Sequence, residues 1–139
     1  MGTQISIFVE NKPGKISRIT GILEKARLNL RASTVADSGH FGILKIITDH
    51  NDKAYAALRK AGVMVSRQDV VLVEIPDRVG AFHTIARFLE NQHINIEDVH
   101  CILIGKTERA VLVLKVSETK KVERLLKGKK YRILSDNEL

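Results

Sequence analysis

Two short segments carry residue types suited to binding a small charged molecule. They read Asn11-Lys12-Pro13-Gly14 and Asp77-Arg78-Val79-Gly80, and their sequence positions differ by 66. Each precedes apolar residues at helical spacing, so each is predicted to lie at a helix N-terminus. Unpaired N–H groups and a partial positive charge attract carboxylates to such a place. A glycine there also lets a ligand approach the backbone closely.

A second pair of candidates follows the two predicted helices. Asn29 and Asn95 stand in matching Leu28-Asn29-Leu30 and Ile94-Asn95-Ile96 triplets. An amide both donates and accepts hydrogen bonds, which suits the ammonium and carboxylate of a free amino acid. The same residues could instead serve only the fold, the glycines by making a turn and the asparagines by pairing backbone groups at a strand entry. Their recurrence favours a binding site, most clearly in the first copy.

These segments belong to an internal repeat, which is the first feature to look for in a new sequence. Ile16 aligns with Phe82 at the same offset of 66, whereas residues 43–49 align with 111–117 at an offset of 68. The second copy therefore contains two inserted residues, placed near residues 104–108. A repeat of this length predicts two domains, which together use the whole chain.

Each copy has the predicted order βαββαβ. Alternating Ile5, Ile7 and Val9 indicate a half-buried strand, and the following apolar residues have helical spacing. In the first copy we predict strands at 3–10, 29–37, 40–48 and 63–67 and helices at 16–26 and 52–61. In the second copy we predict strands at 70–75, 95–104, 109–116 and 131–134 and helices at 81–91 and 119–127. The domains should span residues 1–68 and 69–139.

The βαββαβ order is that of the ferredoxin-like fold, in the α+β class. Both helices of a unit should pack on one face of a four-stranded antiparallel sheet. A unit of this size has a thin core and exposed strand edges. We therefore predict that the two units pair edge to edge into one continuous eight-stranded antiparallel sheet with the helices on one face.

The sequence closely resembles an ACT domain in the first copy. The resemblance is carried by residues 10–14, by the apolar positions of the next helix and by Leu28-Asn29-Leu30. The tandem layout over roughly residues 3–135 is similar to stand-alone two-ACT proteins and to amino-acid-responsive subunits such as that of acetolactate synthase. The second copy departs from the family pattern, with Asp77 in place of Asn11 and Val79 in place of Pro13.

The resemblance implies a ligand site between two ACT units. One wall would be the loop after the first strand together with the start of the first helix, and the other wall the second strand of the neighbouring unit. Carried over to this chain, the implied ligand-binding residues are Asn11, Lys12, Pro13, Gly14, Lys15, Ile16, Asn29, Leu30, Asp77, Arg78, Val79, Gly80, Ala81, Phe82, Asn95 and Ile96.

The resemblance also implies the kind of activity. We expect an allosteric regulatory protein that binds a free amino acid or a similar small metabolite. Two repeats occupy the whole chain and leave no effector domain, so a homo-oligomer, in the simplest case a homodimer, or a separate protein partner is expected. A ligand can shift such an equilibrium only through its different affinities for the two states.

No pattern typical of an enzyme is present. The five histidines show no metal-binding spacing, and neither a phosphate-binding glycine loop nor a nucleophile with a base at a characteristic spacing occurs. His100 and Cys101 are adjacent on a predicted strand, so they should point to opposite faces. His83, in the first turn of a helix, could contact a ligand or be solvated. We predict no catalysis, no metal and no cofactor.

Charge and aromatic content bear on nucleic acid. The net charge is +7, but residues 118–132 carry seven basic and two acidic residues, so one helix and its exit hold most of it. The βαββαβ order also occurs in the RRM, whose strands present aromatic residues to RNA bases. Aromatic residues make up only 4% of the chain; Phe8 and Phe41 are the only ones near the strands of the first copy, and the second copy has none on the equivalent strands. These features favour a metabolite over nucleic acid; a nucleic-acid-binding ferredoxin-like module is the alternative function, and a ligand-free protein-interaction scaffold is a further alternative.

The location is predicted from what the chain lacks. No apolar run approaches the roughly 20 residues that span a bilayer. The N-terminus shows no secretion signal, and a single cysteine, Cys101, forms no disulfide framework. A cytoplasmic protein without membrane contact is the expectation.

Overall fold

A computed structural model describes the whole chain, Met1–Leu139. Its elements are β1 (Gly2–Glu10), α1 (Lys15–Lys25), β2 (Leu30–Ser38), β3 (Phe41–Thr48), α2 (Asn51–Lys60), β4 (Val65–Pro76), α3 (Ala81–Asn91), β5 (Asp98–Leu103), β6 (Arg109–Lys115), α4 (Thr119–Gly128) and β7 (Arg132–Leu134). A short 3₁₀ turn, Asp136–Glu138, follows. None of the helices combines the length and the apolar character that crossing a membrane requires.

The chain forms two compact units. The first unit is Thr3–Gln68, and the second unit is Asp69–Leu139 together with Met1–Gly2. Strand β4 contributes its first residues to the first unit and the rest to the second. The predicted strands 63–67 and 70–75 are therefore one strand, and the chain has seven strands, so the predicted eight-stranded sheet is wrong in number. Gln68-Asp69 contains neither glycine nor proline, the residues that most often interrupt extended backbone.

Both units have the same strand order. In the first unit the order is β2-β3-β1 followed by the start of β4, with Ile7 opposite Leu44. In the second unit the order is β5-β6-β4 followed by β7, with Val73 opposite Leu112 on one side and Ile133 on the other. All the pairings with a described register are antiparallel. The predicted α+β class and the tandem ferredoxin-like arrangement are thereby confirmed.

Each unit has its own apolar core between its helices and one face of its sheet. The predicted inward residues of β1 are buried there, against Leu23 of α1 and Leu58 of α2. In the second unit, Leu89 of α3 and Leu126 of α4 pack on inward residues of β4 and β6 in the same way. Burial of these aliphatic side chains is the main favourable contribution to folding, and it sets the orientation of α1 and α3.

Strand β5 is shorter than predicted. It begins at Asp98, whose partner is Lys115, whereas the prediction began at Asn95. Ile94 and Ile96 pack against the core of the second unit, so the segment that enters β5 follows the apolar surface before it joins the sheet. This irregular segment forms part of a groove described below.

Candidate functional site

Helices α1 and α3 begin at glycines with the same unusual backbone. Gly14 has φ 85° and Gly80 has φ 86°, both left-handed, and neither helix has a side-chain cap. An added Cβ would meet nothing within 4 Å, so the backbone angle and not crowding requires glycine here. The space beside both helix starts is open, which leaves room for a ligand.

The first turn of α1 offers N–H groups to this space. The first i to i−4 hydrogen bond is the one that Arg18 N–H donates to Gly14 O at 3.0 Å, so the N–H groups of Ile16 and Ser17 precede the regular ladder. Ile16 itself is exposed, as is Phe82 at the equivalent position of α3. Each helix start therefore combines backbone donors with an exposed apolar side chain.

The side chain of Asn11 is used inside the first unit. Its amide Nδ2 donates to Gly39 O at 3.0 Å and lies 3.4 Å from Asp37 Oδ1. Its backbone N–H donates to His40 O at 2.8 Å. Asn11 thus ties its loop to the turn between β2 and β3, a structural role that the ligand-binding interpretation did not foresee.

The second copy cannot repeat this arrangement. Asp77 N–H donates to Glu108 O at 2.7 Å, which matches the backbone bond of Asn11. Its carboxylate, however, has no donor to offer and carries a negative charge. The loop before α3 is therefore less suited to a carboxylate than the loop before α1.

The two lysines of the first loop face an acid. Lys12 Nζ lies 3.1 Å and Lys15 Nζ 3.6 Å from the carboxylate of Glu10. The hydrogen bond from Lys12 and the charges of both lysines lower the pKa of Glu10. Pro76 occupies the place of Glu10 in the second copy, so this charged cluster belongs to the first unit alone.

Asn29 and Leu30 lie at the other end of α1 from the loop. Helix α1 is eleven residues long, which corresponds to about 16 Å along the helix axis. Asn29 N–H donates to Asp49 Oδ1 at 3.1 Å and its carbonyl accepts from Asp49 N–H at 3.1 Å, so its side chain is not needed for these bonds. Within one unit the structure does not bring the two predicted parts of the site together.

Equivalent grooves lie beside α1 and α3. The groove of the first unit, the α1 groove, has a volume of about 410 Å³ and is lined by Thr20, Leu23, Glu24, Arg27, Leu28, Asn29 and Leu30. That of the second unit, the α3 groove, has about 600 Å³ and is lined by His83, Ala86, Arg87, Glu90, His93, Ile94, Asn95 and Ile96. Both grooves are open to solvent, so a ligand bound in either one would remain partly exposed.

Sequence reasoning found only part of these grooves. It named the asparagines and the apolar residues after them, and it considered His83 as a ligand contact. It missed Arg27 and His93, which align with each other at the ends of α1 and α3. A basic residue type at the same place in both copies is the signal in the sequence that could have identified them.

Arg27 and His93 also have unusual backbone angles. Their φ values are 56° and 59°, in the left-handed region. Each stands just beyond its helix, where glycine is usual and where Gly62 stands after α2 with φ 79°. The left-handed conformation costs a non-glycine residue about 1–2 kcal/mol. For Arg27 this cost is partly offset by the attraction of its guanidinium charge to the C-terminus of α1.

Replacing Arg27 by glycine is expected to raise the free energy of unfolding by about 0.5–1 kcal/mol, because backbone strain is relieved. Urea denaturation followed by circular dichroism measures the change. The matched control is Gly62→Ala, which introduces the same kind of strain after α2 and should lower the free energy of unfolding by a similar amount. A loss of stability in Arg27→Gly would contradict this account.

Other candidates for chemistry are less favourable. Adjacent residues of a strand face opposite ways, so His100 and Cys101, opposite Val113 and Leu112, do not form a pair. Burial, and then the charge of Asp77, raise the pKa of the Cys101 thiol, which disfavours the reactive thiolate. No group of three or more His, Cys, Asp or Glu side chains is placed to hold a metal ion.

The aromatic pair of the first unit bears on the RNA alternative. Phe8 and Phe41 are exposed on β1 and β3, but their rings stack on each other at 4.9 Å between centroids and 24° between planes. Each ring thereby covers part of a face that a base would need. The pair is not arranged as two free stacking platforms.

The chain resembles known proteins over its whole length. Residues 1–139 match a family described as an ACT domain pair. A solved structure of protein BT0572 from Bacteroides thetaiotaomicron is 34% identical, with a TM-score of 0.90 over 98% of this chain and 93% of that one. No curated protein matches the sequence.

More distant structures share the fold. The regulatory subunit of aspartate kinase from Thermus thermophilus, in a ligand-free form, is 16% identical with a TM-score of 0.62 over 91% of each chain. A structure of aspartokinase alpha and beta subunits is 18% identical, also with a TM-score of 0.62, over 89% of this chain and 88% of that one. At these identities the likeness concerns the fold.

Proposed function

Because this chain belongs to the ACT domain pair family, we propose that it is a regulatory protein that binds a free amino acid or a similar small metabolite. One observation carries the proposal: both units repeat the same open helix start at a left-handed glycine and the same groove ending at an asparagine. The helix starts themselves are not packed into a core, since Ile16 and Phe82 are exposed there. The fold also occurs in a regulatory subunit of aspartate kinase, which is compatible with regulation.

Each part of the arrangement would bind one part of an amino acid. The ligand carboxylate would accept hydrogen bonds from the N–H groups at the start of α1, where the helix dipole is positive. The Asn29 amide oxygen would accept from the ammonium group. Ile16 would contact an apolar ligand side chain. Because the α1 start and Asn29 lie at opposite ends of the helix, a complete site of this kind needs two units.

Regulation would follow from this requirement. A ligand held by two units stabilises one arrangement of them by its difference in affinity for the two states. The arrangement would determine the surface that the second subunit of a homodimer, or a separate protein partner, contacts. Analytical ultracentrifugation at tens of micromolar is expected to show a dimer, and a monomer would contradict this part of the proposal.

A thermal-shift screen against the twenty amino acids tests the proposal. A ligand at about 100 times its dissociation constant adds about 2.7 kcal/mol, or several degrees for a chain of this size. Asn29→Ala should abolish the shift without loss of folding, since the backbone of Asn29, and not its side chain, bonds Asp49. Asn95→Ala reports on the second copy, and Asn137→Ala, at an exposed position outside both grooves, is the control.

Two results would contradict the proposal. One is a flat response to every amino acid together with a stabilisation by RNA that weakens steeply with salt, which would favour the nucleic-acid alternative. The other is an amino-acid response that persists in the double variant Asn29→Ala, Asn95→Ala. Such a ligand would bind elsewhere.

A further inference from the structure

The α3 groove has more basic side chains in its lining than its counterpart. Its polar lining includes three basic side chains, and the repeat alignment places Ser17, Gly21 and Arg27 where the second copy has His83, Arg87 and His93. Both linings contain one acid, which is Glu90 in the α3 groove. The α1 groove has only one basic side chain beside its acid. The two copies share a fold, so the extra basic groups are not a requirement of that fold.

We propose that the α3 groove binds a small ligand bearing a carboxylate or phosphate group, held by His83, Arg87 and His93. The apolar remainder of the ligand would lie on Ile94 and Ile96, and its polar end beside Asn95. The inference rests on the proposed function to the extent that Asn95 and Ile96 belong to both sites. It adds the chemical class of the ligand in the second unit.

Arg87 is available for such a ligand. Its Nε lies 3.6 Å from Glu90 Oε2, and both side chains are well exposed. Exposed ion pairs of this kind contribute little to stability, so the guanidinium can turn to an anion at small cost. Its planar fork can donate two parallel hydrogen bonds to a carboxylate or phosphate, which is the strong form of this contact.

The backbone of His93 fixes where its side chain stands. Its φ of 59° is left-handed, and Ile94 N–H donates to Leu89 O at 2.9 Å, which closes the end of α3. Lys130 has the same conformation after α4, with φ 66°, so a basic residue at this position is a recurring feature of the helix ends of this chain. His93 differs from Lys130 in that it lines the α3 groove, where a ring N–H can donate to a bound anion.

The test is an NMR titration of the full chain with propionate, propionamide and sulfate. Propionate and propionamide have the same size and differ in the charge of one end. We expect saturable backbone shifts at Asn95 and Ile96, in the lining of the α3 groove, with an anion but not with propionamide. A response to propionate alone indicates a carboxylate ligand; a response to sulfate alone indicates a phosphate ligand.

Three variants identify the residues. Arg87→Gln and His93→Asn should each weaken anion binding about tenfold, whereas Arg27→Asn, at the position of the first copy that matches His93, should leave it unchanged. His93→Gly should raise the melting temperature by a few degrees because strain is relieved, and should still lose the anion. A structural role for His93 would not separate stability from binding in this way.

Three results would overturn the proposal. These are shifts of equal size with propionamide, no saturable shift with either anion, or unchanged anion binding in Arg87→Gln and His93→Asn. The outcome is separable from that of the proposed function. If a neutral amino acid shifts Asn29 while the α3 groove ignores anions, only the present inference fails. If sulfate binds the α3 groove while no amino acid stabilises the protein, the proposed function fails and this inference stands.

Discussion

Replacing Leu126 by alanine is expected to lower the free energy of unfolding by about 2–5 kcal/mol. Leu126 of α4 is 0% exposed and belongs to the core of the second unit, where Leu89 of α3 and Leu112 of β6 also lie. The variant removes apolar contacts and leaves a cavity that neighbouring side chains fill only in part. Urea denaturation followed by circular dichroism measures the loss.

The adjacent residue provides the control. Leu125 lies on the same helix but is only half-buried and belongs to neither core, so Leu125→Ala has the same effect on helix propensity without the buried cavity. Its cost should be less than half that of Leu126→Ala. Leu58→Ala, at the matching position of α2, should cost as much as Leu126→Ala, because Leu58 is also 0% exposed. A loss below about 1 kcal/mol for Leu126→Ala would contradict the described core.

Replacing Glu74 by glutamine is expected to lower the free energy of unfolding by about 1–3 kcal/mol at pH 7. The Glu74 carboxylate is only 8% exposed and lies 2.7 Å from Arg109 Nε and 3.6 Å from Arg132 Nη1. Both arginines are more than half exposed, so solvent screening keeps the loss in this range. Arg132 also contacts Glu138 at 3.0 Å, which links the pair to the C-terminal turn.

The pH dependence identifies the charge as the cause. The hydrogen bond from Arg109 lowers the pKa of Glu74 in the folded protein, and the charges of Arg109 and Arg132 add to it against the opposing effect of burial. The contribution is complete above the unfolded value of about 4.3 and is lost as pH falls through the folded pKa. The difference between wild type and Glu74→Gln should therefore shrink between about pH 5 and pH 2.

Urea unfolding at pH 7, 5 and 3 measures this difference. Glu97→Gln, which removes a more exposed ion pair with Lys115 at 3.4 Å, is the control and should change stability by no more than about 0.5 kcal/mol. A difference for Glu74→Gln that stays constant from pH 7 to pH 3 would show that shape or packing at the position, and not the ionised carboxylate, supplies the stability.

The local sequence pattern alone predicted the helices and strands discussed here. Helix α3 runs from Ala81 to Asn91 as predicted, because a glycine before it and apolar residues at helical spacing within it act over a few residues. The alternation of Ile5, Ile7 and Val9 likewise predicted the buried face of β1. The internal repeat predicted in addition that both units have the same strand order, which no single helix or strand could indicate. The family resemblance rested on the same short segments.

Tertiary structure decided the features that depend on distant residues. Nothing near Asn11 in the sequence indicates that its amide donates to Gly39, 28 residues away. Nothing near Glu74 indicates that Arg109 and Arg132 lie beside it. The residues of the predicted strands 63–67 and 70–75 are compatible with two separate strands or with one long strand. Only the structure, in which they pair with neighbouring strands as the single strand β4, decides between the two.

The grooves also contain some residues that the sequence indicated and others that only the tertiary structure identified. The sequence indicated Asn29 and Asn95 through their recurrence, since a repeat makes a residue type at a fixed position visible. It did not indicate that Arg27 or His93 stands beside them in a left-handed conformation, because that conformation follows from how the helix end packs on the core. Local periodicity determines which elements form, whereas the composition of a site depends on which elements packing brings together.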